Sequence, residues 1–159
     1  MPFIVGEVFV EKWMTRAERG QVFVDDGDRF ISLWIAFNGW MKCKFGEAVK
    51  DSTLINHVKD SVEVQRVFEN VRTDVKLACL LQRLTTSTVM DMRYPNDSNK
   101  TKRYDGSLAS LMDVLYQVRC NLFHGRKDIR EDEKDYELVK LAYQILLPLF
   151  KAYLSEHPL

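Results

Sequence analysis

Apolar residues recur at helical spacing in four long stretches of this chain, a pattern that a helix bundle accommodates and a sheet does not. Phe30, Leu33, Trp34, Phe37 and Met41 fall on one stripe of a helix that Asp25-Asp26-Gly27-Asp28 is suited to cap and that Gly46 follows. Val64, Val67, Phe68, Val71, Val75, Ala78 and Leu81 mark the inner face of a helical region from about Asp51 to Leu84, with a break expected near Lys59–Ser61. Leu108, Leu111, Met112, Leu115, Val118 and Leu122 form the third stripe, with Ser107 or Asp105 as its cap. Tyr136, Val139, Ala142, Tyr143, Leu146, Leu149 and Phe150 form the fourth, from about Asp132 to Tyr153, with Pro148 inside it expected to kink the helix by removing a backbone donor. The expected fold is all-α, an up-and-down bundle of four to five helices.

The intervals are less regular. In residues 1–24 the runs Val8-Phe9-Val10 and Gln21-Val22-Phe23-Val24 fit short strands or irregular packing segments, punctuated by Gly6 and Gly20. They read as an N-terminal extension packing on a helical domain that occupies residues 25–159. Residues 85–107 read as the main loop, and no internal repeat is present.

Composition narrows the function classes. A chain of 159 residues with 46% hydrophobic content makes one domain with an ordinary core. Lys plus Arg and Asp plus Glu are 23 each, so no global basic field exists and any nucleic-acid contact has to be local. Cys43, Cys79 and Cys120 are an odd number without metal-ligand spacing, which points to reduced thiols in a cytoplasmic protein. No apolar run reaches the roughly 18 residues of a membrane span, so a soluble protein without membrane contact is expected. No phosphate loop, nucleophile elbow, metal-binding pair or singled-out carboxylate pair is present, and neither metal nor cofactor is expected.

The chemistry concentrates in Arg119-Cys120-Asn121-Leu122-Phe123-His124-Gly125, which puts a permanent cation, an amide and an imidazole where the third helix should run out. On a regular helix Arg119 and His124 stand roughly 140° apart, whereas Asn121 and His124 are only about 60° apart. For the first pair to act together, either the helix unwinds at Gly125 or a second subunit supplies the missing partner across a two-fold axis. Structural roles compete for each residue: Arg119 could cap carbonyls or pair with Asp113 or Glu137, and His124 before Gly125 makes a respectable C-cap. The helix C-terminus favours the imidazolium form of His124 and Arg119 opposes it. His57 and His157 are assigned to an exposed loop and the tail. Trp34, Phe37 and Trp40 are assigned to the core or a dimer interface. The short basic runs Arg126-Lys127 and Lys100-Thr101-Lys102-Arg103 read mainly as solvated faces, although Arg126 and Lys127 directly follow the motif and could track an RNA backbone.

Arg-x4-His at the end of a helix in a small all-α domain resembles the signature of the HEPN superfamily. The wording from Tyr116 to Lys127 is particularly similar to its bacterial, Apea-like members, and Asp28 to Asn38 resembles that group's first core helix. The likeness covers about residues 28–153. It implies a helical bundle that forms a homodimer and, in many members, a metal-independent endoribonuclease acting in toxin–antitoxin modules, phage defence or stress responses. Arg119 and His124 match the two defining positions. Catalytic members commonly carry a polar residue directly after the Arg; here that position is Cys120 and the polar Asn121 comes one later. Carried over, Arg119 binds phosphate and stabilises the transition state, His124 is the general acid/base, Asn121 supports them, and Arg126 and Lys127 contact substrate. The alternative is a non-catalytic helical module of the same type that binds RNA or a protein partner, such as an antitoxin or another defence-system protein. A dimerisation unit without any ligand is a third reading.

Overall fold

The computed structural model describes residues 2–19, 25–47, 49–94, 97–123 and 133–158, with the side chains of all of these except 2–5, 19 and 133–135. The described residues form seven α-helices, one small ribbon and a single 3-10 turn at Ser98–Lys100: α1 Pro2–Arg19, α2 Asp26–Phe45, α3 Asp51–Asp60, α4 Val62–Val71, α5 Val75–Leu84, β1 Thr88–Met90, β2 Thr101–Arg103, α6 Leu108–Phe123 and α7 Glu133–Glu156. The fold is an all-α bundle. All four expected helical regions are there, and the local sequence accounts for the higher count. Ser61 breaks the 51–84 region by accepting from Val64 N–H at 3.3 Å, and Asp74 breaks it again by accepting from Leu77 N–H at 3.1 Å. Each residue caps a new helix instead of continuing the old one. The seventh is α1. Val8-Phe9-Val10, which fits a strand by composition, is helical, because packing along α2 buries Val10, Met14 and Ala17 on one face. The other candidate strand, Gln21-Val22-Phe23-Val24, lies outside the described residues.

Local capping follows the sequence closely. Asp25 accepts from Asp28 N–H at 2.8 Å to open α2, and Gly46, at φ 122°, closes it with an N–H bond to the Lys42 carbonyl. Only glycine adopts that backbone conformation without strain. Ser107 accepts from Ser110 N–H to open α6. Asp105 in turn accepts from the Ser107 N–H and hydroxyl and the Ser110 hydroxyl, and these bonds hold its carboxyl down at about 2.

The core lies between α2 and α7, flanked by α3, α4, α5 and α6. Trp34, Phe37 and Trp40 are buried in it, as their spacing predicts. Phe37 and Trp40 stack at 5.9 Å, and Trp40 stacks on Tyr153 of α7 at 5.7 Å. The segment Tyr136–Glu156 is long and apolar enough to cross a membrane by length and composition. In this fold it is the core helix, with Val139, Ile145, Leu146, Leu149, Phe150 and Tyr153 buried against its neighbours. Pro148 stands on its exposed side, inside a helix that continues to Glu156.

The Tyr153 hydroxyl is fully buried and has no hydrogen-bond partner among the described residues, and burial pushes its pKa far up. An unsatisfied buried donor carries a desolvation cost of about 1–3 kcal/mol. Tyr153→Phe is therefore expected to stabilise the fold by about 1 kcal/mol, read as a raised urea midpoint at constant slope. A lowered midpoint would mean that the hydroxyl is bonded.

Residues 85–107, expected to be a loop, contain the antiparallel ribbon β1–β2, with Val89 opposite Lys102 and Met90 opposite Thr101. Val89 is buried and anchors the ribbon. A strand of three residues leaves no periodic pattern long enough to recognise.

Candidate functional site

Arg119 emerges from the last part of α6 with its side chain one-quarter exposed. Its helical neighbours at i−3 and i+4, Tyr116 and Phe123, share its face. The guanidinium carbon stands 4.5 Å from the Phe123 ring centre and 5.8 Å from that of Tyr116. Nη2 donates to Asp51 Oδ2 at 3.0 Å, and the other carboxylate oxygen accepts from Asn38 Nδ2 at 3.0 Å. A polar relay thus runs from α2 through the first turn of α3 to α6, holding the guanidinium in one place. Nη1 makes only a long contact of 3.8 Å to Cys120 Sγ, and Nε has no partner among the described residues. Nε is buried, so the donors left to meet a ligand are those of Nη1 and the second N–H of Nη2.

The acids considered as partners from sequence are engaged elsewhere. Asp113 pairs with Lys59, and Glu137 lies 3.9 Å from Arg83. Asp51 and Asn38 are the two residues of this site that the spacing did not single out. Asn38 is a polar residue in the middle of an apolar helix, and Asp51 sits where an acid favours a helix N-terminus. Either feature alone has a local explanation, which hides the link between them.

Asn121 uses both sides of its amide, with one Nδ2 N–H left over. Oδ1 accepts from Met92 N–H at 3.1 Å and from Gln117 Nε2 at 3.0 Å, while Nδ2 donates to the Met90 carbonyl at 2.7 Å. It clamps the end of β1 and the following turn onto α6, on a different side of that helix from Arg119. Gln117, itself buried, backs the clamp. Burial pushes the Tyr116 phenol up, and the Cys120 thiol beside it adds to the effect, so Tyr116 stays neutral.

His124, Gly125, Arg126 and Lys127 lie outside the described residues. His57 is on α3 and not in a loop, stacked on Phe45 at 5.4 Å, and His157 approaches Glu63 at 3.7 Å. Cys43, Cys79 and Cys120 carry free thiols. Among the described residues no group of three His, Cys, Asp or Glu side chains is arranged to hold a metal ion. Comparison with protein-family models, curated proteins and solved structures gives no match.

Proposed function

We propose that this chain is a cytoplasmic, metal-independent endoribonuclease of the HEPN type, working as a homodimer. The observation that carries the reading is the fixed, partly exposed guanidinium of Arg119, five residues before His124. Asp51 orients it and leaves the Nη1 donors and one N–H of Nη2 for a phosphate. In the reaction the ribose 2′-hydroxyl attacks phosphorus, the 2′-O–P bond forms and the P–O5′ bond breaks. The products are a 2′,3′-cyclic phosphate and a 5′-hydroxyl. Arg119 offsets the charge that develops on the phosphoryl oxygens, and His124 moves the proton from the 2′-oxygen or to the 5′-oxygen. A two-fold partner would bring a second Arg119–His124 set to the same cleft, and Arg126 and Lys127 would follow the strand. Action in a toxin–antitoxin module or in phage defence, with a neutralising protein partner, belongs to the same proposal.

Two contacts favour the non-catalytic module instead: Arg119 is already ion-paired, and Asn121 is committed to the ribbon on a different side of α6. Incubation of the purified chain with cellular RNA in excess EDTA separates the readings. The enzyme is expected to cut, leaving 5′-hydroxyl ends, and folded His124→Ala is expected to lose about 10²–10⁴-fold in rate. RNA left intact by the wild type favours the binding module.

A further inference from the structure

The basic run at Lys100–Lys102 has a definite setting in the fold. A cavity of about 410 Å³ opens between α3, α6 and the turn that joins β1 to β2. Tyr116 and Gln117 form one wall, Asn56 and Lys59 the second, and Arg93, Lys100 and Lys102 the third. Both acids in its lining are already engaged: Asp91 accepts from Arg93 Nε and Nη2 at 3.1 and 2.8 Å, and Asp113 pairs with Lys59. Lys100 and Lys102 have no ion-pair partner among the described residues, so the cavity carries uncompensated positive charge. Lys102 stands opposite the buried Val89 on the ribbon and is itself exposed, so its ammonium is open to a ligand. Lys100 Nζ and the Arg93 guanidinium carbon each lie 5.5 Å from the Tyr94 ring centre, which keeps both cations at the cavity edge.

One side chain, Tyr116, separates the cavity from Arg119. Tyr116 lines it while facing the Arg119 guanidinium, and Ser52, another lining residue, directly follows Asp51. The Asn121 clamp on Met90 and Met92 fixes the two residues that flank Asp91, and Asp91 fixes Arg93. The cationic wall is therefore built onto α6 and does not hang from a free loop. Ile55 and Tyr116 are the only sizeable apolar side chains in the lining, which suits a phosphate diester better than an acidic peptide with apolar anchors.

We infer that this cavity is a backbone-phosphate subsite for single-stranded RNA, next to the phosphate held by Arg119. Lys100 and Lys102 are its neutralising cations and Arg93 its fixed planar donor. The choice of RNA rests on the ribonuclease reading. The subsite itself rests on the cavity and its charge.

The test uses the full chain in EDTA with a fluorescent, uncleavable 2′-O-methyl oligoribonucleotide, followed by anisotropy across a salt series. Lys100→Gln/Lys102→Gln is compared with Lys12→Gln/Lys76→Gln, which removes two exposed lysines on helices that do not line the cavity. Thermal melts confirm that both variants fold. The cavity variant is expected to bind roughly tenfold more weakly, with a salt slope shallower by about 0.7 per lost phosphate contact. Equal effects from the two double variants, or no binding by the wild type, would overturn the subsite. Cleavage of ordinary RNA is scored separately. His124-dependent cutting with binding indifferent to Lys100 and Lys102 removes the subsite and keeps the ribonuclease. Lysine-dependent binding without cutting does the reverse.

Discussion

Trp40→Ala is expected to lower the unfolding free energy by about 3–5 kcal/mol, the usual cost of emptying a fully buried aromatic position. Trp40 touches both halves of the core. It stacks on Phe37 within α2 and on Tyr153 of α7, meets Phe45 edge-on and lies tilted against Phe150. Most neighbours are themselves rings held by other rings, so the site has little freedom to collapse, and the loss should fall at the upper end. Against a total stability of about 5–15 kcal/mol for a domain of this size, that brings the chain close to unfolding. Val62→Ala, at a position 83% exposed, serves as the control and should shift the midpoint by less than about 0.5 kcal/mol. Similar denaturation midpoints for Trp40→Ala and the control would contradict this account of the core.

The second large effect concerns the ion pair at the candidate site. If Arg119 clamps phosphate, Arg119→Ala should reduce cleavage about 10²–10³-fold, the scale of losing one preorganised donor group to a developing oxyanion. Arg119→Lys should fail almost as badly, because an ammonium lacks the planar pair of donors and cannot lie against Phe123 in the same way. Asp51→Asn separates orientation from chemistry. It keeps an acceptor oxygen but removes the charge, so the Arg119 guanidinium is left partly buried without a counter-ion. A pair this shielded lies between the surface and buried limits, and the expected cost is about 1–2 kcal/mol of stability. Cleavage by the enzyme should survive Asp51→Asn within a few-fold, because the donors that meet phosphate remain. Parallel losses of stability in all three variants, with no cleavage to lose, would identify the pair as a structural tie of a binding module.

The helices were legible because their signal is local. The stripes of α2, α6 and α7 name most of the residues those helices bury but miss Ala36, Val114, Leu141 and Ile145, which widen each buried face, and Ser107 and Asp105 cap α6 as their side chains suggest. Two features escaped for opposite reasons. Val8-Phe9-Val10 has strand-forming composition, yet the face formed by Val10, Met14 and Ala17 makes that segment a helix against α2. The ribbon at Thr88–Met90 and Thr101–Arg103 is too short for periodicity to register and depends on the buried Val89.

At the candidate site the division is sharper. The sequence by itself determined that Arg119 and Asn121 occur near the end of one helix, and helix geometry already set them on different sides of it. Only the tertiary structure decided what each one touches. Asp51 is 68 positions from Arg119, and Met90 is 31 from Asn121. Helical order follows from neighbours within a turn or two, so one chain's pattern carries it. Ion pairs and amide clamps over such separations form only after packing has brought α3 and the ribbon against α6, and no local spacing records which surface will arrive.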